Sequence, residues 1–552
     1  MDSESEYGFR IPDVTMFGML SIVAEAQPNA VAYEYFGARH TYSQLINQIE
    51  RISAAYVDLG VRQGDVVTII MPNTPEAVVS IYALNRIGAV ANIVHPLSAS
   101  GEIKKYLNSV DCKYVLAIDL CLSKILGIID ETSVEKIVVA SPSESMPRVL
   151  RTAYNLTKKS KAKAHKGHSR CILWKDFLSQ SHSVIKPRRS TGDRVSVILH
   201  SGGTTGTPKD IMLTDKSFNA LGIQAVMTLD DVGVGDRFLG VLPIFHGFGL
   251  GVCVHVCFCF GACSVLVPSF DSEKFGSLLK KQKPTLIFGV PTLFEAMVSS
   301  RGAEKLDFSF LKYAVSGGDT LPKPLEEKVN AFLSAHNSRV RICEGYGMTE
   351  GLAALSLSVN DAYKSGTIGK PLVGNEMCIV EPGTTNVLPP ETEGELCVCG
   401  PTVMAGYRGN PEETALALRE HSDGRVWLHT GDMALIDAEG FVHYKLRLKR
   451  MIISSGYNVY PTQIEKTIEE LPEVDKCAVV SMAHQYKKEV PKAFIILAKG
   501  VEGDTFTLDK IRQHCKRNLS YHSVPYKYKF VKELPKTPYG KVDIMKLQAE
   551  EK

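Results

Sequence analysis

Short runs of β-branched and apolar residues return along this chain at the spacing of parallel strands, and that pattern limits the fold more than any other feature. Asp65-Val66-Val67-Thr68-Ile69-Ile70-Met71 is followed by Ala89-Val90-Ala91-Asn92-Ile93-Val94, then by Tyr114-Val115-Leu116-Ala117 and Lys136-Ile137-Val138-Val139-Ala140. Stretches long enough for a helix separate them. Parallel strands cannot be joined by tight turns, so the alternation predicts a doubly wound α/β sheet. Upstream, Thr41 stands three residues before Gln44, a helix-start pattern, and Ile49, Ile52, Ala55 and Leu59 continue it as one apolar face. At 552 residues the chain exceeds one compact core, and two or more domains are expected.

The apolar run Val195 to Leu199 leads into Ser201-Gly202-Gly203-Thr204-Thr205-Gly206-Thr207-Pro208-Lys209. Three glycines let backbone N–H groups converge on an anion, four hydroxyls add donors, and one lysine supplies a point charge. The stretch reads as a phosphate cradle, although no Gly-x-x-x-x-Gly-Lys-Ser/Thr can be drawn through it. By composition alone a plain Gly/Thr-rich turn is an equal alternative.

Three further strands end in turns built on glycine or proline: Thr285 to Thr292, Tyr313 to Asp319, and Arg339 to Glu350. Ligands of open α/β sheets bind at the carboxyl ends of strands, so these turns are expected to share one crevice with the cradle. His246, within Leu242-Pro243-Ile244-Phe245-His246-Gly247-Phe248-Gly249, reads equally as a core histidine or as a pocket residue.

The net charge of +3 argues for no particular partner, and no nucleic-acid partner is expected. Thirteen cysteines include no Cys-x-x-Cys pair, which fits reduced thiols of an intracellular protein. The acidic amino-terminal residues have no apolar run behind them, so a secretory signal is not expected. Phe248 to Val267 carries no Asp, Glu, Lys or Arg, but its glycines and His255 favour a buried helix followed by a core strand over a membrane span.

Between Arg148 and Lys175 there are nine basic residues and no acidic one. Val149 to Tyr154 spaces apolar and basic residues as a surface helix would. The segment is either a solvated excursion between sheet units or, over 148–170, a weak peripheral contact with anionic lipid. Apart from that contact a cytoplasmic location is expected. Beyond Arg447 the texture changes to a unit of ordinary domain size, with a helix over Gln463 to Leu471, strands at Cys477 to Ser481 and Ala493 to Ala498, and a basic end. A domain boundary is expected at 448–450, giving domains 1–447 and 448–552.

With these residues laid out, the chain resembles the adenylate-forming enzymes: acyl-CoA synthetases, coumarate-CoA ligases, luciferases and peptide-synthetase adenylation domains. It is most like the fatty-acid or general acid-CoA ligases. The motifs follow the family's order from about Thr41 to Val542. Ser201 to Lys209 resembles the phosphate loop, and Glu344-Gly345-Tyr346-Gly347-Met348-Thr349-Glu350 the adenine and magnesium motif. Thr430-Gly431-Asp432 with Arg447 resembles the ribose clamp, and Pro535 to Lys541 the tail motif with its catalytic lysine.

The resemblance implies a large amino-terminal domain of doubly wound α/β subdomains plus a small β-barrel-like part, then a small mobile α+β carboxyl-terminal domain. It implies ATP, Mg²⁺ and coenzyme A, with a small carboxylic acid as substrate. The roles it implies are catalysis by Lys541, Thr205 and Glu350, with Glu350 on Mg²⁺; Thr204 and Thr205 on the β- and γ-phosphates; Lys209 as looser support; and Thr349 on the α-phosphate. Tyr346 and Asp432 would meet adenine and ribose. Gly318 would border the nucleotide. The acyl pocket would be lined by Phe245, His246, Val290, Gly317, Gly318, Gly347 and Met348. Lys449 would be a hinge that alternately brings Lys541 or the Ser454-Ser455-Gly456-Tyr457 stretch to the site.

This chain departs from the family at Gly202, Asp210, Leu446 and Ile453. Asp210, which replaces a glycine, is expected to face solvent. No carboxylate is evident for an amino-acid ammonium, so an apolar acid, fatty or aryl, is expected. Two other readings stand beside the CoA ligase. One is an enzyme that loads a carrier protein through Lys510, Arg512, Lys516 and Arg517, and the other is a binding protein that has lost catalysis. Oligomeric state is open.

Overall fold

The computed structural model describes residues 8–157, 168–179, 185, 191–201, 209–450, 452–454, 457–459, 461–484, 488–519, 523–536 and 542–549. The chain divides into two compact units. One comprises Met1–Gly203, Thr207–Met377 and Val398–His429; the other comprises chiefly Cys378–Cys397 and Thr430–Lys552.

The first unit holds two large sheets. In the eight-stranded sheet the order is Gly406–Tyr407, Lys209–Thr214, Val195–Ser201, Val90–Ile93, Val66–Ile70, Tyr114–Ile118, Lys136–Ala140 and Cys171–Leu173. From Val195–Ser201 onward each neighbouring pair is parallel, as the alternating sequence requires. Val66–Ile70 is buried along its whole length, the mark of a strand covered on both faces. Thr41 and Gln44 form a complete capping box at the start of helix Tyr42–Leu59, whose buried Leu45, Ile49 and Ile52 face the core.

The nine-stranded sheet runs Lys370–Pro371, Ser356–Leu357, Ile342–Tyr346, Tyr313–Gly317, Leu286–Gly289, Arg237–Gly240, Cys263–Leu266, Val31–Tyr35 and Ala38–Thr41. Its middle is parallel, and antiparallel pairs close both edges. Phe248–Val256, read as a buried helix, is a π-helix, followed by helix Cys257–Cys259 and strand Cys263–Leu266. Within it His255 is bonded to the Tyr82 hydroxyl at 2.9 Å, and burial pushes its pKa down to about 3, so it stays neutral. Among the described residues no helix is long and apolar enough to cross a membrane, and all thirteen cysteines are free.

In the second unit a five-stranded sheet runs Tyr457–Val459, Ile452–Ser454, Lys488–Leu497 and Val474–His484, with Lys527–Phe530 added parallel to Lys488–Leu497. Helices Pro461–Glu469 and Thr505–Asn518 cover it through Ile464, Ile468, Ile511 and Cys515. The short 3₁₀ turn Leu448–Arg450 precedes this sheet.

Candidate active site

Arg237–Gly240 lies at the switch point of the nine-stranded sheet, because the chain continues to Cys263–Leu266 on one side and then crosses to Leu286–Gly289 on the other. Its carboxyl end is therefore where a crevice opens. Phe245 and His246 follow this strand, Val290 follows the next, Gly317 and Gly318 end the third, and Tyr346 to Glu350 leave the fourth. The candidate acyl residues thus come from adjacent strand ends. Asp319, the one acid among them, is exposed and accepts from the Thr320 amide at 2.9 Å.

The eight-stranded sheet is bonded to the loop that leaves this strand end. Asn73, just past strand Val66–Ile70, donates to the carbonyls of Gly240 at 2.9 Å and Leu242 at 2.8 Å, and its side-chain oxygen accepts from the Ile244 amide at 3.0 Å. Three bonds from one buried amide fix the loop that presents Phe245 and His246. His95, past strand Val90–Ile93, sets its ring 4.1 Å from that of Phe245. Sequence reading passes over both residues, since their partners lie about 150 or more positions away.

Glycine is required at the rim by close approach. A Cβ on Gly347 would stand 1.3 Å from the Ala353 carbonyl oxygen, and one on Gly317 would stand 3.0 Å from that of Gly345. The turn Thr349–Gly351 is followed by Leu352 and Ala353, both at positive φ, +56° and +102°, a conformation that side chains disfavour. Glu350 is buried in this turn. Its carboxylate accepts from the Tyr407 hydroxyl at 3.0 Å, and its carbonyl accepts from the Met404 amide at 2.8 Å. Glu344 accepts from the Leu321 amide at 3.1 Å, while Tyr346 is buried and Met348 half-buried.

The cradle itself, 202–208 with Thr204 and Thr205, lies outside the described residues, but its stem is defined. Ser201 pairs with Lys209 and His200 with Asp210 across an antiparallel hairpin. Asp210 does not face solvent as expected: it is 7% exposed, and its carboxylate meets His200 Nδ1 at 2.9 Å. The imidazole's other nitrogen meets Asn92 at 2.8 Å, and Asn92 donates to Thr68 at 2.9 Å. The physical reason is register. Directly cross-strand neighbours on a buried face must satisfy one another, and His200 gives the carboxylate its partner.

Lys209 is likewise held. Its ammonium lies 2.5 Å from Glu413 and 4.5 Å from the centre of the Tyr407 ring. Tyr407, another residue the sequence did not point to, therefore touches the cradle's lysine with its ring and the candidate magnesium carboxylate with its hydroxyl.

In the second unit the Asp432 carboxylate is buried and pairs with Arg447 at 3.2 Å across Val426–Ile436 and Val442–Arg447. The Thr430 hydroxyl donates to the Leu396 carbonyl at 2.7 Å, and the Gly431 amide donates to Glu395 at 3.1 Å, so the strand segment before Asp432 is tied to the neighbouring strand Gly394–Cys399. Lys449 lies in the 3₁₀ turn, Tyr457 begins a strand, and Ser454 is buried at the end of its own. Ser455, Gly456 and Lys541 lie outside the described residues. On either side of that lysine's segment, Lys536 and Val542 meet as an antiparallel bridge.

Residues 20–408 match the family described as AMP-binding enzyme, and residues 463–541 its carboxyl-terminal domain. A long-chain-fatty-acid–CoA ligase of Bacillus subtilis is 30% identical over 98% of this chain and 95% of its own. A 4-coumarate–CoA ligase of Arabidopsis thaliana is 31% identical over 92% and 87%. Among solved structures, an anthranilate CoA ligase in complex with anthranoyl-AMP superposes with a TM-score of 0.83 at 23% identity over 99% of each chain. A Mycobacterium tuberculosis fatty acyl CoA synthetase gives 0.70 at 24%, over 100% of this chain and 99% of its own. These last two speak to the fold.

The chain belongs to the AMP-binding, adenylate-forming enzymes. Within them it is an AMP-forming acid–thiol ligase, an acyl-CoA synthetase that uses ATP, Mg²⁺ and CoA.

Proposed function

We propose that the acid is apolar, fatty or aryl, and that the residues named above act as follows. The acid's carboxylate attacks the α-phosphorus of ATP and breaks the bond to the β-phosphate, leaving acyl-adenylate and pyrophosphate. The thiol of CoA then attacks the acyl carbon and AMP departs, giving the thioester. A carboxylate is already nucleophilic, so the work is to hold two anions together while charge builds on a phosphoryl group.

The observation that carries the apolar substrate is the set of strand ends. Phe245, Val290 and Met348 offer apolar surface, and Asp319, the one acid in the turn after Gly317 and Gly318, is exposed and accepts from the Thr320 amide. An ammonium buried there would be uncompensated. Glu350 fits Mg²⁺, a hard cation that prefers oxygen, as a buried carboxylate already oriented by Tyr407. Bound Mg²⁺ would neutralise phosphate charge. Thr204, Thr205 and Thr349 would bond phosphate oxygens, with Ser201, Gly202, Gly203 and Gly206 leaving room for backbone amides. Glu344, Gly345, Tyr346 and Gly318 would border adenine, and Asp432 with Arg447 the ribose. Lys541 would stabilise charge on the α-phosphate, and rotation about Lys449 would exchange it for the Ser454 to Tyr457 stretch before thioester formation.

A carrier-protein acceptor gains no support from helix Thr505–Asn518, where Lys510 is paired with Glu473 at 2.5 Å and Arg512 lies 3.7 Å from Asp509. The test is pyrophosphate release with Mg-ATP over a panel of fatty, aryl and amino acids, with and without CoA. Turnover that needs CoA and one class of apolar acid supports the reading. Turnover on amino acids, or a burst indifferent to CoA, overturns it.

A further inference from the structure

Gly406–Tyr407 is a strand of two residues at the edge of the eight-stranded sheet, paired antiparallel with Ile211 and Met212 of Lys209–Thr214. The residues on either side extend the pairing: the Ala405 amide donates to the Met212 carbonyl at 2.9 Å and the Arg408 amide to that of Asp210 at 2.8 Å. The Thr414 hydroxyl, in helix Pro411–Ala417, accepts from the Tyr407 amide at 2.9 Å. Just before the strand, the Met404 amide donates to the Glu350 carbonyl at 2.8 Å. A strand too short to hold itself is therefore fixed by its neighbours, between the turn Thr349–Gly351 and the stem of the cradle.

The Tyr407 side chain is buried and is held at its tip and on its face. Its hydroxyl donates to Glu350 Oε1 at 3.0 Å, since a carboxylate only accepts. The Lys209 ammonium stands 4.5 Å from the centre of its ring and is itself held by Glu413 at 2.5 Å. A cation is attracted to an aromatic face, so the ring has a fixed neighbour as well. Filling the space would need only a phenylalanine. The oxygen occupies one side of the carboxylate and leaves the other turned in a set direction. Outer partners of this kind orient metal ligands, and their loss weakens metal binding roughly 10- to 100-fold.

We propose that Tyr407 is a positioning residue for the metal: its hydroxyl aims the Glu350 carboxylate at Mg²⁺, and its ring, seated under the cradle's lysine, keeps that aim in register with the phosphate side of the site. The inference rests on the reading of Glu350 as the carboxylate that holds Mg²⁺. It stands whichever acid the enzyme takes.

The experiment is calorimetric titration of the full chain with α,β-methylene-ATP, whose bridging carbon prevents cleavage, once with Mg²⁺ and once with the metal chelated. The ratio of the two affinities isolates what the metal contributes. Tyr407→Phe keeps the ring under Lys209, so affinity without metal should be unchanged, while the ratio should fall about tenfold. Glu350→Gln should lower the ratio at least as far. A wild-type ratio in Tyr407→Phe, with the ratio lowered in Glu350→Gln, overturns this inference and leaves the reading of Glu350 standing. A ratio unmoved by Glu350→Gln defeats that reading and the inference with it. A loss of affinity in Tyr407→Phe that is equal with and without Mg²⁺ marks a tyrosine that only packs, and it too overturns the inference.

Discussion

The two large sheets present their carboxyl ends to one crevice and fix those ends by opposite means. The nine-stranded sheet works by omission: Gly347 stands where a single carbon would strike the Ala353 carbonyl and Gly317 where one would crowd that of Gly345, and the chain after Glu350 is bent through left-handed leucine and alanine. The eight-stranded sheet works by connection. His200, Asp210, Asn92 and Thr68 form a buried chain of bonds across four neighbouring strands at the cradle's stem. The nine-stranded side brings backbone segments against one another by leaving side chains out, whereas the stem of the eight-stranded side is fixed by side chains that bond one another. Asn73 joins the two, its amide on the eight-stranded side bonded to the loop that carries the acyl residues.

The comparison breaks first at Gly347. Gly347→Ala must push the Ala353 carbonyl away, and displacement of about 1 Å near reacting groups is expected to lower kcat for pyrophosphate release roughly 100-fold. Circular dichroism should show the fold intact. Near-normal turnover would mean that the rim does not shape the crevice.

A smaller effect is expected at the stem. Asp210→Ala leaves the buried His200 nitrogen without its partner, which should cost about 1–3 kcal/mol in stability. It should also raise KM for ATP about tenfold with KM for the acid unchanged, since a tenfold change is only about 1.4 kcal/mol of loop positioning. Removing both partners, His200→Phe with Asp210→Gly, should restore only part of the stability, because the buried Asn92 side-chain oxygen then loses its bond to His200. An equal rise in both KM values would place the pair's influence elsewhere.

The smallest effect on turnover, and a distinct one on stability, is expected at Glu76. It sits buried in the first turn of helix Pro75–Ile87, bonded by the Ser145 hydroxyl at 2.5 Å, and burial raises its pKa from 4.5 to about 7. The unfolded chain releases this proton at lower pH than the folded one, so stability falls as pH rises from about 4.5 to about 7 and then levels off. Glu76→Gln should remove that slope and add up to about 3 kcal/mol at pH 8, read from denaturant unfolding at several pH values, with kcat unchanged. A parallel pH profile for variant and wild type would contradict the assignment.

Legibility in the sequence divides along the same line. The strands, the capping box at Thr41 and the glycine-ended turns were readable because period and turn chemistry are local. Glu350, Asp432 and the acyl residues were named through motif resemblance. At Asp210 the sequence misleads, because a charge beside a glycine loop suggests solvent, and only the register of the hairpin shows that it faces His200. Asn73, His95 and Tyr407 left no local signal, since their work lies in contacts between strands far apart in sequence. The π-helical form of Phe248–Val256 was also hidden, because a segment apolar on every side shows no period to read.

The proposed first step is attack of an apolar carboxylate on the α-phosphorus of ATP. The most direct measurement supplies the best acid of the panel with both carboxylate oxygens as ¹⁸O, together with Mg-ATP and CoA, and weighs the products. One ¹⁸O is expected in AMP and none in pyrophosphate, because the bridging oxygen of the adenylate leaves with AMP when the thiol attacks. Label in pyrophosphate or inorganic phosphate, or AMP formed without label, would contradict it.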